Sequence, residues 1–481
     1  MARAATIGAL AGFAALLTFA FSGASADVLT DLPSRGIHAK QQTSGSDNVK
    51  PFMVARPAGG VYLAWAHTAG GQTQIVCSRS ADGGTYSAPV VISTAGMFLD
   101  LGAENAPNLA TDSHGGLYVV WTAGSAPAPI VPATNHAHEH GDAGATGKKS
   151  AGHPPRPGNL NIWLSRSDDD GKTFSAPIRV NDDADGAEHR FPTVAVDHEG
   201  AICVAWLDKR KKQTDGSDMA RVYFARSIDR GSTFSKNIDA TSGQPYPICH
   251  CCRVAIDPDT THGITIAFRN DINDLRDIFL LHSKNGGQDF EAPVAIEQTH
   301  WIYPSCPMDG PSIATDAAGV LHAAWMTMAP GVANPLFGTS EKADCKILYT
   351  TRSSTAPTPD APTFLAAGHH PRVTVTPAGQ TYIAYHQGQS LVLCAVTPGL
   401  HGKISAFQLS DGKGTSGYPA IVSMPDGSIL CAWQEKLSTD STQIFTIRLN
   451  LSQGVGSTQV TQLASSNPHT NSTTQNRSTA R

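Results

Sequence analysis

The sequence predicts an all-β fold, a β-propeller built from four-stranded antiparallel blades, and three observations predict it. An apolar run, a turn carrying Asp, Gly or Pro, and a second alternating run closing on an aromatic recur seven times, ending on Trp65, Trp121, Trp206, Phe268, Trp325, Tyr385 and Trp433. Each is a hairpin signature. A third strand-like run follows most of them ("QIVCSRS", "NIWLSRS", "RVYFARS", "DIFLLHS", "KILYTTRS"), then a glycine-bearing turn and a short fourth run such as "SAPIRV". The units repeat about every 50 to 60 residues, the spacing of blades set radially, which leaves only short, protected sheet edges. Seven units are counted; a count of six stays open because the sixth and seventh lack the turn motif.

Taken in order, residues 1–26 read as a secretory signal: Arg3, an apolar run from Ala4 to Phe21, and an Ala-x-Ala site at Ala24 and Ala26. Cleavage there would leave a secreted or periplasmic product, with residues 27–453 as the propeller. Residues 126–160 interrupt the second unit with "NHAHEHGDAGATGKKSAGHPPRP", and His136, His138, His140 and His153 lack the ordered spacing of a metal site. The tract reads as an inserted loop, a lid over one face or flexible surface, with transition-metal binding by its histidines the less favoured reading. Residues 454–481 are polar and rich in Ser, Thr and Asn, and are expected to be disordered.

The turn between third and fourth strands appears as "SRSADGGTYSAP", "SRSDDDGKTFSAP", "ARSIDRGSTFS" and "LHSKNGGQDFEAP". In such a turn the Asp side chain bonds backbone N–H groups, Gly takes positive φ and the aromatic folds back on the blade. Asp169 and Asp229 are therefore assigned to architecture rather than to chemistry.

A net charge of -5, 16% charged residues and no basic block exclude an electrostatic footprint for nucleic acid. Beyond the signal, no stretch approaches the roughly 18 uninterrupted apolar residues of a membrane helix. Nine cysteines are present, an odd number in an exported chain, so at least one thiol is free, shared with another chain or engaged with a metal. Cys77, Cys203, Cys394 and Cys431 lie inside apolar strand patterns and read as small buried hydrophobes.

The turn motif resembles the Asp-box of the sialidase (neuraminidase) superfamily. The third unit strengthens the likeness, with "HRFP" similar to the family's Phe/Tyr-Arg-Ile-Pro string, a second arginine about twenty residues on and an aspartate soon after. The resemblance implies that Arg190 grips a sialate carboxylate, that Arg210 lines the pocket and that Asp215 is the acid/base catalyst. It further implies Tyr418 of "SGYPAIVSMPDG" as the nucleophile, with Arg269 of "IAFRN" and Arg372 of "HHPRVTV" completing an arginine triad. A guanidinium suits that work because its planar fork pairs bidentately with a carboxylate. Tyrosine is the known exception to two-carboxylate glycosidases, and its pKa near 10 demands a neighbouring base. Where the family has a Glu for that purpose this chain has "CHCCR", residues 249–253.

"CHCCR" and the later "CPMDGP" also resemble a subset of exported sialidase-like proteins with no established activity. Both segments precede first strands of neighbouring units, at the blade end that borders the channel. Cys249, Cys251, Cys252 and Cys306 admit three readings: disulfides stapling two blades, a soft metal such as copper or zinc held with His250 or Met308, or a redox thiol beside Arg253. Two functions compete. One is a retaining exo-acting glycoside hydrolase on sialic acid or a related acidic sugar of a glycan or glycoconjugate, with no required cofactor. The other is a non-catalytic binding propeller with a cysteine-lined metal or disulfide site.

Overall fold

In the computed structural model the described residues are 29–462 apart from 34–38, 45–46, 126–158, 185, 214–215, 217, 245, 260–261, 298–299, 329–344, 354–355, 357, 397–403, 440 and 455–456. They form seven antiparallel blades and contain no α-helix. Blade 1 comprises Asn48–Ala55, Val61–Ala69, Gln72–Ser80 and Val90–Val91. Blade 2 comprises Asn108–Thr111, Leu117–Ser125, Asn161–Ser167 and Ile178–Arg179, with Met97–Leu99 added beside its second strand. Blades 3 and 4 run from His189–Val196 to Ile238–Asp239 and from Ala255–Pro258 to Val294–Ala295. Blades 5 and 6 run from Ser312–Thr315 to Thr363–Ala367 and from His369–Val375 to Ile404–Gln408. Blade 7 holds Thr415–Ser423, Ile429–Ser438 and Ser441–Gly454.

First strands touch their neighbours in chain order, and the first strand of blade 7 touches that of blade 1. The ring therefore closes at seven. A clasp made by the N-terminal segment holds it: Lys40 and Gln41 pair with Thr446 and Phe445 of blade 7, and the Asp47 carboxylate accepts the Thr442 N–H at 2.9 Å. Ser457–Gln462 also pairs with the third strand of blade 7, so regular structure runs beyond Gly454, where the sequence placed the start of a disordered tail. The His-rich insertion of residues 126–160 falls outside the described residues except for 159 and 160.

The core is divided among the blade interfaces. One apolar cluster lies between each pair of neighbouring blades, including the pair formed by the last and the first. Trp121, Trp206, Trp325 and Trp433, which lie within four of the second strands, are completely buried there. Burying a large aromatic contributes about 1.5–3 kcal/mol, so the repeated aromatic is what glues blade to blade. Cys77, Cys203, Cys394 and Cys431 occupy the same clusters, and burial raises the Cys77 and Cys203 thiols to about 12.

The turns are self-satisfied. Asp169 accepts the Ser167 hydroxyl at 2.8 Å, the Thr173 N–H at 2.9 Å and the Thr173 hydroxyl at 2.6 Å; Asp229 repeats this with Ser227 and Thr233. The flanking aspartates of the triple run work differently. Asp168 pairs with Arg230 of blade 3 at 2.7 Å, and Asp170 pairs with Arg56 of blade 1 at 2.7 Å while accepting the Tyr62 hydroxyl at 2.6 Å. One turn of blade 2 thus fastens both neighbours.

The first strands carry a second repeated device. In blades 1, 3, 6 and 7 the register slips where a residue precedes proline. Lys50, Phe191, His370 and Tyr418 there adopt φ of 59°, 56°, 52° and 49°. A non-glycine residue in this region costs about 1–3 kcal/mol and persists only where its surroundings enforce it. Counting back from the strand partner of the residue before each aromatic, the same position holds Arg253 in blade 4, Gly310 in blade 5 and Ala106 in blade 2.

Candidate functional site

These positions converge on the propeller axis. A cavity of about 170 Å³ is lined by first-strand residues of all seven blades, among them Phe52, Asn108, Thr193, Ala255, Ser312, Arg372 and Ala420. At its centre stands Glu104, whose side chain is fully buried. Its Oε1 lies 3.2 Å from Arg253 Nε and 3.0 Å from Arg372 Nη2, and its Oε2 accepts the Gly310 N–H. Burial pushes this carboxyl up, but Arg253 and Arg372 outweigh burial and hold it down at about 2. Glu104 is ionised at any working pH. Gly310 is required for the approach: a Cβ there would stand 2.3 Å from the Arg253 carbonyl oxygen.

Above this pair sit the bulge residues. Lys50 Nζ lies 3.1 Å from the centroid of the Tyr418 ring, and its amine donates to the Ala103 carbonyl. Burial lowers Lys50 to about 7, against an opposing pull from Glu104. The His370 ring lies 4.7 Å from Tyr418 and 5.6 Å from His386, and burial lowers both histidines to about 4. Tyr418 is raised above its ordinary value by burial and by the charges of Glu104 and Asp309. Asp309 is itself raised to about 6 by burial and by Glu104, and its Oδ2 accepts the His370 N–H at 2.7 Å. Two guanidinium groups and a titrating amine share this mouth with the ionised Glu104 and with Asp309, which stays neutral below about pH 6; below that value the cations are in excess and the mouth favours an anion.

Arg190, Arg269 and Arg210 do not share this mouth. Arg190 is buried and donates to Asp100 at 2.5 Å, with Glu188 at 3.5 Å; it precedes the bulge residue Phe191, so the strand's alternation turns it away. Arg269 donates only to backbone carbonyls, those of Arg276, Asp309 and Met326, at 2.5–3.2 Å. It clasps blade 4 to blade 5. Arg210 is held by Asp208, Asp182 and Asp183 at 2.8, 2.8 and 3.3 Å and lies over the Tyr223 ring. The expected triad of Arg190, Arg269 and Arg372 is therefore corrected: only Arg372 reaches the axis, where its companion is Arg253. Asp215 lies outside the described residues.

Tyr418 and Arg372 were thus reached from sequence, whereas Lys50, Glu104, Arg253, Asp309 and His370 were not. A signal for two of these existed: Lys50-Pro51 and His370-Pro371 occupy the register of Tyr418-Pro419. Glu104 sits in "GAENAPN", off that register, and nothing local marks it.

Beside Arg253, the cysteine segment forms its own cluster. Cys249 Sγ stands 3.1 Å from Cys252 Sγ and 3.5 Å from Cys251 Sγ, all three thiols being buried. Cys306 packs against them and lies 3.4 Å from His250 Nε2.

Fold and site together define a seven-bladed β-propeller with a cationic, tyrosine-bearing axial mouth. No family model matches the chain, and no curated protein sequence does. Solved structures similar to it include a leech intramolecular trans-sialidase complexed with 2,7-anhydro-Neu5Ac (11% identity, 90% of this chain and 71% of that one, TM-score 0.45). A Penicillium chrysogenum alpha-L-arabinanase complexed with arabinobiose matches at 14% identity over 71% and 92% of the two chains, TM-score 0.44. A polysaccharide lyase of family PL25, an ulvan lyase, matches at 12% identity over 85% and 95%, TM-score 0.46.

Proposed function

We propose that the axial mouth takes the carboxylate of an acidic sugar and that Tyr418 acts on the bound ring, making the chain a sialidase-like retaining glycoside hydrolase. The observation that carries this reading is the convergence of Arg253, Arg372, Lys50 and Tyr418 around Glu104. Arg372 and Arg253 would share their donors between Glu104 and the incoming carboxylate, since each guanidinium has five N–H groups and only part of them is engaged. Tyr418 would attack the anomeric carbon; a neutral phenol avoids repulsion by the substrate's own carboxylate. Lys50, which lies over the Tyr418 ring and is free to be neutral near pH 7, would accept the phenolic proton. The proton for the departing oxygen is assigned to Asp215.

A fluorogenic sialoside, with a fluorogenic uronide beside it, tests the proposal. Turnover that Tyr418→Phe reduces by roughly 10³-fold or more, with folding unchanged, supports the hydrolase. No turnover of either substrate rejects it.

Binding without turnover is the second reading, favoured by the raised Tyr418 and by the commitment of Glu104 to two arginines rather than to the phenol. Isothermal titration with free sialic acid separates it from the first: heat without hydrolysis selects a binding propeller. Secretion, and an acidic glycan or glycoconjugate as the partner, belong to the same proposal; hydrolysis by this route needs no cofactor.

A further inference from the structure

The three buried thiols before blade 4 use no part of the axial chemistry, and their arrangement differs from ordinary packing. Cys249 Sγ is within 3.1 and 3.5 Å of two other sulfurs at once, and the three sulfurs lie within 4.8 Å of one another. A disulfide joins one pair at about 2.05 Å and leaves the third sulfur out. Three thiolates on one tetrahedral or trigonal ion, with metal–sulfur bonds of about 2.3 Å, place their sulfurs about 3.8–4.0 Å apart. The 3.5 Å separation lies near the second pattern and the 3.1 Å separation between the two, and all three sulfurs stay together, which a single disulfide does not require. Elsewhere Cys77, Cys203 and Cys431 each lie in a different apolar cluster and Cys345 and Cys394 share one with many apolar side chains, whereas these three thiols and Cys306 make a cluster of cysteines alone. Arg269, whose own partners are uncharged carbonyls, lies near enough to Cys252 to favour its thiolate, while Arg276 near Cys249 is already paired with Asp271 at 2.6 Å.

We infer that Cys249, Cys251 and Cys252 form a thiolate site for a soft d10 ion, copper(I) or zinc, with Cys306 beside it as the ligand on the approach side. Of the four sulfurs only Cys306 is part-exposed, so it faces the route by which an ion arrives. Binding would displace the thiol protons and join the ion to the thiolates, with no change in oxidation state. Arg253 follows Cys252 directly, so an ion held there would fix the backbone from which Arg253 reaches Glu104. The inference is independent of what the axial mouth binds.

The test uses the full chain, purified under reductant and stripped of metal, titrated in separate arms with copper(I) against a chromophoric copper(I) chelator and with zinc against a zinc indicator. One ion per chain in either arm, an all-sulfur shell of three or four ligands by X-ray absorption, and a metal-dependent rise in the melting temperature of the unmutated protein are expected; the arm with the lower dissociation constant identifies the ion. Cys249→Ser and Cys252→Ser should each weaken binding roughly 100-fold or more and Cys306→Ser by less. Failure of both ions to bind the reduced, folded chain, or to raise its melting temperature, overturns the inference. So does a peptide map of protein purified without reductant that shows Cys249 covalently joined to another of these cysteines.

Discussion

The turn after the third strand and the bulge that opens the first strand are both written several times in this chain, yet their side chains have different fates. In the turn, the repeated residues bond one another: Asp169 and Asp229 accept from their own Ser and Thr, and nothing is left over. In the bulge, the repeated feature is the backbone, a left-handed residue before proline, while the side chain varies among Lys50, Phe191, His370 and Tyr418. A device whose residues repeat is architecture. A device whose backbone repeats while its side chains diverge presents different chemistry to one point, and here that point is the axis. Of those four side chains, Lys50 and His370 lie against the ring of Tyr418.

Breaking the axis should have the largest effect. Glu104→Gln removes the carboxylate that Arg253 and Arg372 share, and losing one partner of a buried ion pair costs about 3–5 kcal/mol; urea unfolding reads it. The pH dependence has a definite sign. The folded pKa of Glu104 is depressed from 4.5 to about 2, so the stability it contributes is present above about pH 4.5 and drains away as pH falls towards 2. A chain in which Glu104→Gln removes none of that acid sensitivity would contradict the assignment.

Gly310→Ala should come next. The added methyl meets the Arg253 carbonyl and side chain, and overpacking of this kind costs about 1–3 kcal/mol. It should also weaken binding of any acidic ligand, because Arg253 is the group displaced. Equal stability with undiminished binding would show that Arg253 has another way to its place.

A smaller effect is expected at the rim. Asp170→Ala removes the link between blade 2 and Arg56 and Tyr62 of blade 1, and at a part-exposed site that contact contributes about 0.5–1 kcal/mol. Thermal melting should shift little, with the axial site unaffected. A loss as large as that at Glu104 would erase the distinction between rim and hub.

The subtlest outcome concerns charge at the mouth. Lys50 titrates near 7 and is cationic below that value, so affinity for an acidic sugar should fall as pH rises from 6 to 8.5, and Lys50→Met should flatten the profile. A titration series in both proteins measures this.

Much of the molecule was legible before folding was considered. Blade count, the structural role of Asp169 and Asp229 and the burial of Cys203 or Cys431 follow from local periodicity and turn chemistry, which act over a few residues. Tyr418 and Arg372 were legible through the resemblance. Arg190 and Arg269 were not placed correctly, because an arginine's direction depends on strand alternation and on partners in other blades: Asp100 for the first, the carbonyls of Asp309 and Met326 for the second.

By itself, then, the amino-acid order determined a wheel of repeated hairpins, since hydrophobic period and turn residues are short-range properties. Only the closed ring decided that Glu104 of blade 2 would meet Arg253 of blade 4 and Arg372 of blade 6. Such a contact spans up to 268 positions along the chain, and no local pattern encodes which charges will share a buried centre once water has been driven from it.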